Sequence, residues 1–456
     1  MGSISVIEVT VDAQTATGSG DSDFVDVVVS ESLVEGTVYH AICSASVESG
    51  DATALFEWRL YDQTNDGELL HSKTVREQTQ SGASQSYNYM GRFTVGSQGG
   101  GLAFQQKGYP TPDYRPAKTN FLSMLLLDMS DIDEDDFFFE TTGTVSDQNT
   151  FTYGDRVTHT ETGVEGDDEW LVFGWIAHHV NSDARNTMSK MTCDDAADEE
   201  PELSFEGEDL SEEIQWWMCR SYTMTGDNSS VEWKMEARVD QVGTNSYTKN
   251  SSLFGIKLSS FSDSYHLYKS DAATPPDNDF YRMSYNDFTP TQTGKVIVAA
   301  CSIFVPNGTN RKAGQRIQKD GTTIPNTQPD DENFLNSNDA TDELPLSYIT
   351  VYDGVANTEA TIRYDVINRQ TYATAVEFED STFAIFGTTP TVPPVTYSAV
   401  AKQVYTSGDV ASEALVAGSK ATQGFASGDV EGQGFASGDT AAQSHSGGDV
   451  EAEARP

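Results

Sequence analysis

From residue 4 to about residue 390 the chain is written in apolar or alternating runs of four to ten residues, each closed by Gly, Asn, Asp or Pro. No long stretch keeps the three-and-four spacing of an amphipathic helix, whereas residues 232–238 and 361–365 alternate apolar with charged side chains, as a strand with one covered face does. The pattern predicts an all-β body.

The runs also repeat. An apolar strand at residues 38–47 returns in kind at 170–180 and 296–305. An aromatic strand around Tyr89-Met90 returns around Trp217-Met218 and Tyr348-Ile349, each followed by a Gly-bearing turn. The alternating strands at 232–238 and 361–365 come next, and a last apolar strand at 121–127 is matched at 253–258 and 383–386. The anchors keep one order and step by roughly 125 to 133 residues, the mark of a tandem array. They predict three copies of one β-domain, at 1–132, 133–262 and 263–388. Roughly eight strands per copy fit a two-sheet sandwich, with jelly-roll topology the leading expectation. Long polar insertions at 193–215 and 308–344 fall at similar places in the second and third copies and are expected on one side of the array.

Past Gly387 the texture changes. Residues 389–402 form a Pro-rich connector that cannot join a sheet interior. Residues 403–456 carry a ten-residue repeat marked by Ser407-Gly408-Asp409-Val410 and its returns, with Phe425 and Phe435 at matched places. Gly-Asp supplies a turn, so the tail is expected to be a strand-turn unit repeated along an axis. So thin a strip buries too little apolar area to offset its ordering entropy, and it is expected to pack on other copies of itself or on a partner. Phe425, Gly428, Asp429, Phe435, Gly438 and Asp439 are the residues expected to carry that docking.

Composition sharpens the reading. Among 456 residues, 71 are Asp or Glu and 27 are Lys or Arg, for a formal charge of −44. In dilute buffer that charge opposes compaction; in molar salt the screening length falls to roughly 3 Å and the carboxylates keep the surface hydrated. The acidity therefore points to a halophilic setting, and it argues against nucleic acid as a partner, since phosphate is bound by clustered cations. With 22 Phe, 19 Tyr and 6 Trp, the aromatic content is enough for several cores. The first residues lack a basic or twin-arginine leader, and no run of eighteen apolar residues occurs, so neither export by the usual routes nor membrane insertion is expected.

Few residues invite chemistry. His178 and His179 are neighbours on a strand and point to opposite faces, which favours a structural role. Asp131, Asp133, Asp135 and Asp136 set oxygen ligands at alternate positions, like the start of a calcium loop. The glycine and bidentate glutamate of an EF-hand are missing, which leaves a looser Ca²⁺ or Mg²⁺ site as the candidate. Cys43 and Cys301 are matched to repeat positions where the second copy has Ile176, as small buried residues, and Cys193 and Cys219 are a candidate pair if the loop between them folds back. No nucleophile elbow, HExxH or phosphate loop occurs, and the expectation is a non-enzyme. Tyr109 and Tyr114, in a proline-rich loop, and Trp216, set opposite Trp217 on its strand, are candidates to stack on a sugar ring.

Tandem β-sandwiches, a fibrous Gly-Asp repeat, an acidic surface and no export signal together resemble in architecture the virion surface proteins of haloarchaeal tailed viruses, such as turret, decoration or fibre proteins. The resemblance implies a homo-oligomer on the virion surface, assembled in the host cytoplasm, docked on capsid or tail proteins and presenting distal domains to host surface glycans. The competing classes are an extracellular or cell-envelope carbohydrate-binding or carbohydrate-cleaving protein of a halophilic archaeon, and a purely structural capsid cement.

Overall fold

The computed structural model describes most of residues 4–389 and, within the tail, the backbone of six strands between 403 and 455; the longest internal gaps fall at 16–23, 75–83, 109–116, 325–333 and 369–375. The protein is all-β. Among the described residues, twenty-six strands lie in one compact unit, residues 1–391, and six in a second, residues 392–456.

The first eight strands are β1 (Ser5–Thr15), β2 (Val25–Val29), β3 (Val38–Ser49), β4 (Phe56–Asp62), β5 (Gly67–Thr74), β6 (Ser84–Thr94), β7 (Leu102–Gly108) and β8 (Ala117–Asp128). They form two antiparallel sheets, ordered β1-β8-β3-β6 and β2-β7-β4-β5. That order, first-eighth-third-sixth against second-seventh-fourth-fifth, is the jelly roll.

The next nine are β9 (Phe137–Thr142), β10 (Ser146–Gln148), β11 (Gly154–Val164), β12 (Glu169–Val180), β13 (Arg185–Cys193), β14 (Glu202–Gly207), β15 (Glu212–Thr223), β16 (Asn228–Val239) and β17 (Ser246–Lys257). Because β9 and β10 both pair with β17, they act as one interrupted first strand, and the orders β10-β17-β12-β15 and β11-β16-β13-β14 repeat the same topology.

The third set is β18 (Ser264–Lys269), β19 (Phe280–Phe288), β20 (Gly294–Val305), β21 (Arg311–Lys319), β22 (Thr322–Ile324), β23 (Phe334–Ser337), β24 (Leu344–Gly354), β25 (Ala360–Asn368) and β26 (Glu377–Gly387). Its sheets run β18-β26-β20-β24 and β19-β25-β21-β22, with β23 also on β21 as the split fifth strand. Asp320 and Gly321 both take positive φ between β21 and β22, the conformation a tight two-residue hairpin requires. The four repeating anchors of the sequence fall on the third, sixth, seventh and eighth strands of the sandwiches.

Each sandwich has a hub sheet, the one holding its first strand, and a rim sheet, the one holding its second. Among the described residues, the central strands of the hub sheets are buried on both faces. Within the second sandwich, Trp170 packs on Trp233 at 5.5 Å and Phe138 on Trp233 at 5.1 Å between the two sheets. Gly255 is needed there, because a Cβ at that position would collide with the Phe138 ring.

The other face of each hub sheet meets its neighbours. Trp217 of β15 donates from Nε1 to Cys43 O at 3.1 Å and Ser44 Oγ at 2.9 Å in the first sandwich, and its own carbonyl accepts from Ser347 Oγ of the third. Trp175 Nε1 donates to Asn88 O at 2.9 Å. Ser123 Oγ donates to Ile349 O, and Thr350 Oγ1 to Glu8 Oε1 at 2.9 Å, closing the first sandwich on the third. Burial pushes the Glu8 carboxyl up, against the hydrogen bonds from Thr350 and Val351. Three jelly rolls thus share one junction.

His40 belongs to that junction. Its ring stacks on Phe254 at 5.4 Å and meets the edges of Phe139 and Phe137 at 5.1 and 5.8 Å, all from the second sandwich. Burial pushes its pKa down to about 4, with Arg92 adding to the shift and Asp128 opposing it. A base whose folded pKa is depressed contributes fully above its unfolded pKa, and the contribution is lost as pH falls through the folded one. Between pH 6.5 and about 4 the wild type is expected to lose up to roughly 3 kcal/mol on this account. His40→Phe should show a shallower fall of melting temperature over that range at constant salt; parallel curves would remove His40 as the cause.

In the tail unit, β27 (Gln403–Ser407), β29 (Thr422–Ser427) and β31 (Ala442–Ser446) pair in parallel, as do β28 (Val410–Ala417), β30 (Val430–Ser437) and β32 (Val450–Arg455). Register partners lie twenty residues apart: Gln403, Gln423 and Gln443 align, as do Val410, Val430 and Val450. The ten-residue repeat is therefore half a coil, with successive strands going to alternate sheets. The backbone thus forms a strand-turn unit repeated along an axis, each strand pairing with the next coil. Among the described residues, β27 and β31 end one sheet and β28 and β32 end the other.

Candidate functional site

The residues singled out from sequence do not come together. Trp216 is buried inside the second sandwich, its Nε1 donating to Ser189 Oγ at 2.9 Å and its ring edge-on to His178 at 5.4 Å. It does point opposite Trp217, but into the interior of its own sandwich, where it is buried and not available to a sugar. Tyr109 and Tyr114 lie outside the described residues. His178 is fully buried, and burial pushes its pKa down to about 3, as a core histidine requires.

Asp131, Asp133, Asp135 and Asp136 surround the short 3-10 turn of Glu134–Asp136, where the Asp133 carboxylate accepts from the Asp135 amide at 3.3 Å. They act as turn and surface carboxylates. Among the described residues, no three His, Cys, Asp or Glu are gathered as a metal ion would need. Phe425 and Phe435 sit at register positions of the tail, aligned with Tyr405 and His445, and with Leu415 and Arg455. Gly428, Asp429, Gly438 and Asp439 lie outside the described residues.

The cysteines need two corrections. All four are buried and none is in a disulfide. Cys219 hydrogen-bonds Cys301 across the boundary of the second and third sandwiches, so its neighbour is not Cys193. Cys43 and Cys301 are not equivalent either. Ser44 faces the second sandwich through Trp217, so Cys43 beside it faces the first sandwich's own core, where burial pushes its thiol up to about 12. Cys301 faces the junction, bonded to Ser347 at 3.4 Å, and its counterpart in the second sandwich is Trp175. A slip of one residue along a strand exchanges its faces.

What the sequence reading missed is a feature repeated on the outer face of every rim sheet. On the fourth strand a cation lies over an aromatic ring at or just before the start of the second strand: Arg59 over Phe24 at 4.1 Å, Lys190 over Tyr153 at 4.6 Å, and Arg316 over Phe280 at 3.5 Å. The same cation meets a polar group on the seventh strand: Arg59 Nε with Gln105 at 2.6 Å, Lys190 with Glu236 at 3.7 Å, Arg316 with Asp365 at 3.0 Å. The register agrees throughout. A bulge follows Asp26, Asp155 and Arg282 in turn, and these pair with Gln105, Glu236 and Asp365. The signal was in the chain, because Arg59, Lys190 and Arg316 are 131 and 126 residues apart, the step of the apolar anchors. Polar positions, carried through the same repeat, would have revealed it.

In the third sandwich the cluster is largest. Asp365 is fully buried and shared by Arg316 and Arg363, each at 3.0 Å. Arg282 lies over Tyr285 at 5.0 Å, and that ring is 52 % exposed.

No protein family and no curated protein matches the chain. Among solved structures, a chain from the atomic structure of Sulfolobus turreted icosahedral virus is 9 % identical over 85 % of this chain and 91 % of its own, with a TM-score of 0.18. A chain from infectious bursal disease virus, Gt strain, is 8 % identical over 84 % and 82 %, at 0.21. The tandem CBM22 domains of Paenibacillus barcinonensis Xyn10C are 9 % identical over 56 % and 98 %, at 0.17. Scores this low place the chain in none of these groups.

Proposed function

We propose that this chain is a structural virion surface protein of a halophilic archaeal virus: a turret, decoration or fibre component, assembled in the host cytoplasm as a homo-oligomer on capsid or tail proteins, without catalytic activity. The observation that carries the reading is the shared junction. Three jelly rolls fused in one chain bury their hub sheets on one another and leave only rims outward, an arrangement suited to a rigid building part. The acidic surface suits assembly in molar salt. The tail fits a docking element, since among the described residues β27 and β31 end one of its sheets and β28 and β32 the other, and an end strand can take a further strand.

Light scattering in molar salt tests this. The intact chain is expected to run as an oligomer, and a chain lacking residues 395–456 as a smaller species. A monomer in both cases ends the reading. The stacked rings and guanidinium groups on the rims favour host surface glycans as the ligand, and they equally support the second reading, a carbohydrate-binding envelope protein of a halophilic archaeon.

A further inference from the structure

Five register positions define the outer rim cluster in each sandwich, and their residues change from copy to copy. Two are on the second strand, one on the fourth and two on the seventh. In the first sandwich they are Asp26, Val29, Arg59, Ala103 and Gln105; in the second, Asp155, Thr158, Lys190, Lys234 and Glu236; in the third, Arg282, Tyr285, Arg316, Arg363 and Asp365. One cation balances one anion in the first set and two balance two in the second. The third set holds three cations and one anion.

The substitutions also change what is open to solvent. Asp26 and Asp155 are both satisfied within their clusters, Asp26 by the Gln105 amide at 2.5 Å and Asp155 by Lys234 at 3.3 Å. Arg282, at the same position, replaces the anion by a cation. Tyr285 stands where the others have Val29 and Thr158 and pairs directly with Arg363, whose side chain is 30 % exposed. A half-exposed ring thus lies among guanidinium groups carrying surplus positive charge, on a chain whose net charge is −44.

We propose that this face of the third sandwich binds an acidic saccharide, its ring stacked on Tyr285 and its carboxylate held by Arg282 and Arg363. A sugar ring offers the apolar face that an aromatic ring takes, and the planar guanidinium fork matches a carboxylate. Neutral sugars lack the partner for the surplus charge, and the balanced rims of the other two sandwiches lack both features. The inference rests on the glycan part of the reading above and places a ligand site on the third rim, where the buried Trp216 offers none.

The test is binding of polygalacturonate to the intact chain in molar salt, with neutral dextran and inorganic polyphosphate as comparisons. Wild type is expected to bind polygalacturonate and neither comparison polymer. Arg282→Asp and Tyr285→Thr, which install the second sandwich's residues, should each weaken binding at least tenfold, while Thr158→Ala on the second rim leaves it unchanged. Melting curves that superpose on wild type establish that the variants are folded. The proposal is overturned if polygalacturonate does not bind, if dextran or polyphosphate binds equally tightly, or if both third-rim variants bind like wild type. An oligomer that ignores polygalacturonate ends this inference alone; a monomer that binds it ends the assembly reading alone.

Discussion

Replacing Trp217 by alanine is expected to destabilise residues 1–391 by about 3–5 kcal/mol, the range for removing a large buried aromatic side chain. Trp217 is fully buried and takes part in all three sandwiches: it sits on β15 of the second, donates to Cys43 and Ser44 of the first, and accepts from Ser347 of the third. Alanine would leave a cavity at the junction and strip the Ser44 hydroxyl of its donor. The loss should therefore be one of coupling as well as stability. Urea unfolding of wild type at constant salt is expected to be a single transition, and Trp217→Ala should lower its midpoint and split or broaden it. A midpoint within a few tenths of a kcal/mol of wild type would mean that the sandwiches do not depend on this contact.

The second large effect is expected at Asp365. Its carboxylate is fully buried on the third rim between Arg316 and Arg363, whose side chains are 19 % and 30 % exposed. Asp365→Ala leaves two guanidinium groups facing each other without the anion, a change that costs about 3–5 kcal/mol when a buried pair is broken. Partial exposure of both arginines lets water screen them and brings the expected loss nearer to about 2–3 kcal/mol. The double variant Asp365→Ala with Arg363→Gln should recover part of it, because one of the two opposed charges is gone. Urea midpoints of the two proteins measure this directly; an equal loss in both would show that the carboxylate matters for packing and not for charge.

The limits of what the sequence made legible follow from strand geometry. The third, sixth and eighth strands could be found because they are heavily apolar, as with β12 and β20, and the seventh because it alternates apolar with charged residues, as in β16 and β25, and so they repeat visibly. The fifth strands are short, as in β14 and β22, and the second strands are mixed in composition, as in β2 and β11, so neither offers such a signal. Which face a side chain takes depended on the exact register. Cys43 and Cys301 look alike in two apolar runs, yet only the bond from Trp217 to Ser44 fixes the offset between them. Trp216 was open to a ligand role because alternation predicts that it opposes Trp217. A sheet covered on both sides makes that alternation silent about exposure, and nothing in local sequence announces that the hub sheets meet. The acidic run at 131–136 suggested a metal site by composition in a chain where acids are the background, and its geometry proved to be that of a turn.

The rim clusters carry the opposite lesson. Phe24, Tyr153 and Phe280 lie far from Arg59, Lys190 and Arg316 in sequence, and each pair meets only because the second and fourth strands flank the seventh. Once the fold supplies that adjacency, the copy-to-copy changes at Asp26, Asp155 and Arg282 become readable as a reversal of charge at one position.

The shared junction is tested most directly by hydrogen exchange on the intact chain. Strands β6, β15 and β24 each end a hub sheet, and an end strand in an isolated sandwich exposes half of its amides to water. If the three sandwiches are packed on one another, these strands exchange as slowly as the central strands β3, β12 and β20. Exchange as fast as that of β2, an end strand of a rim sheet, would contradict the account.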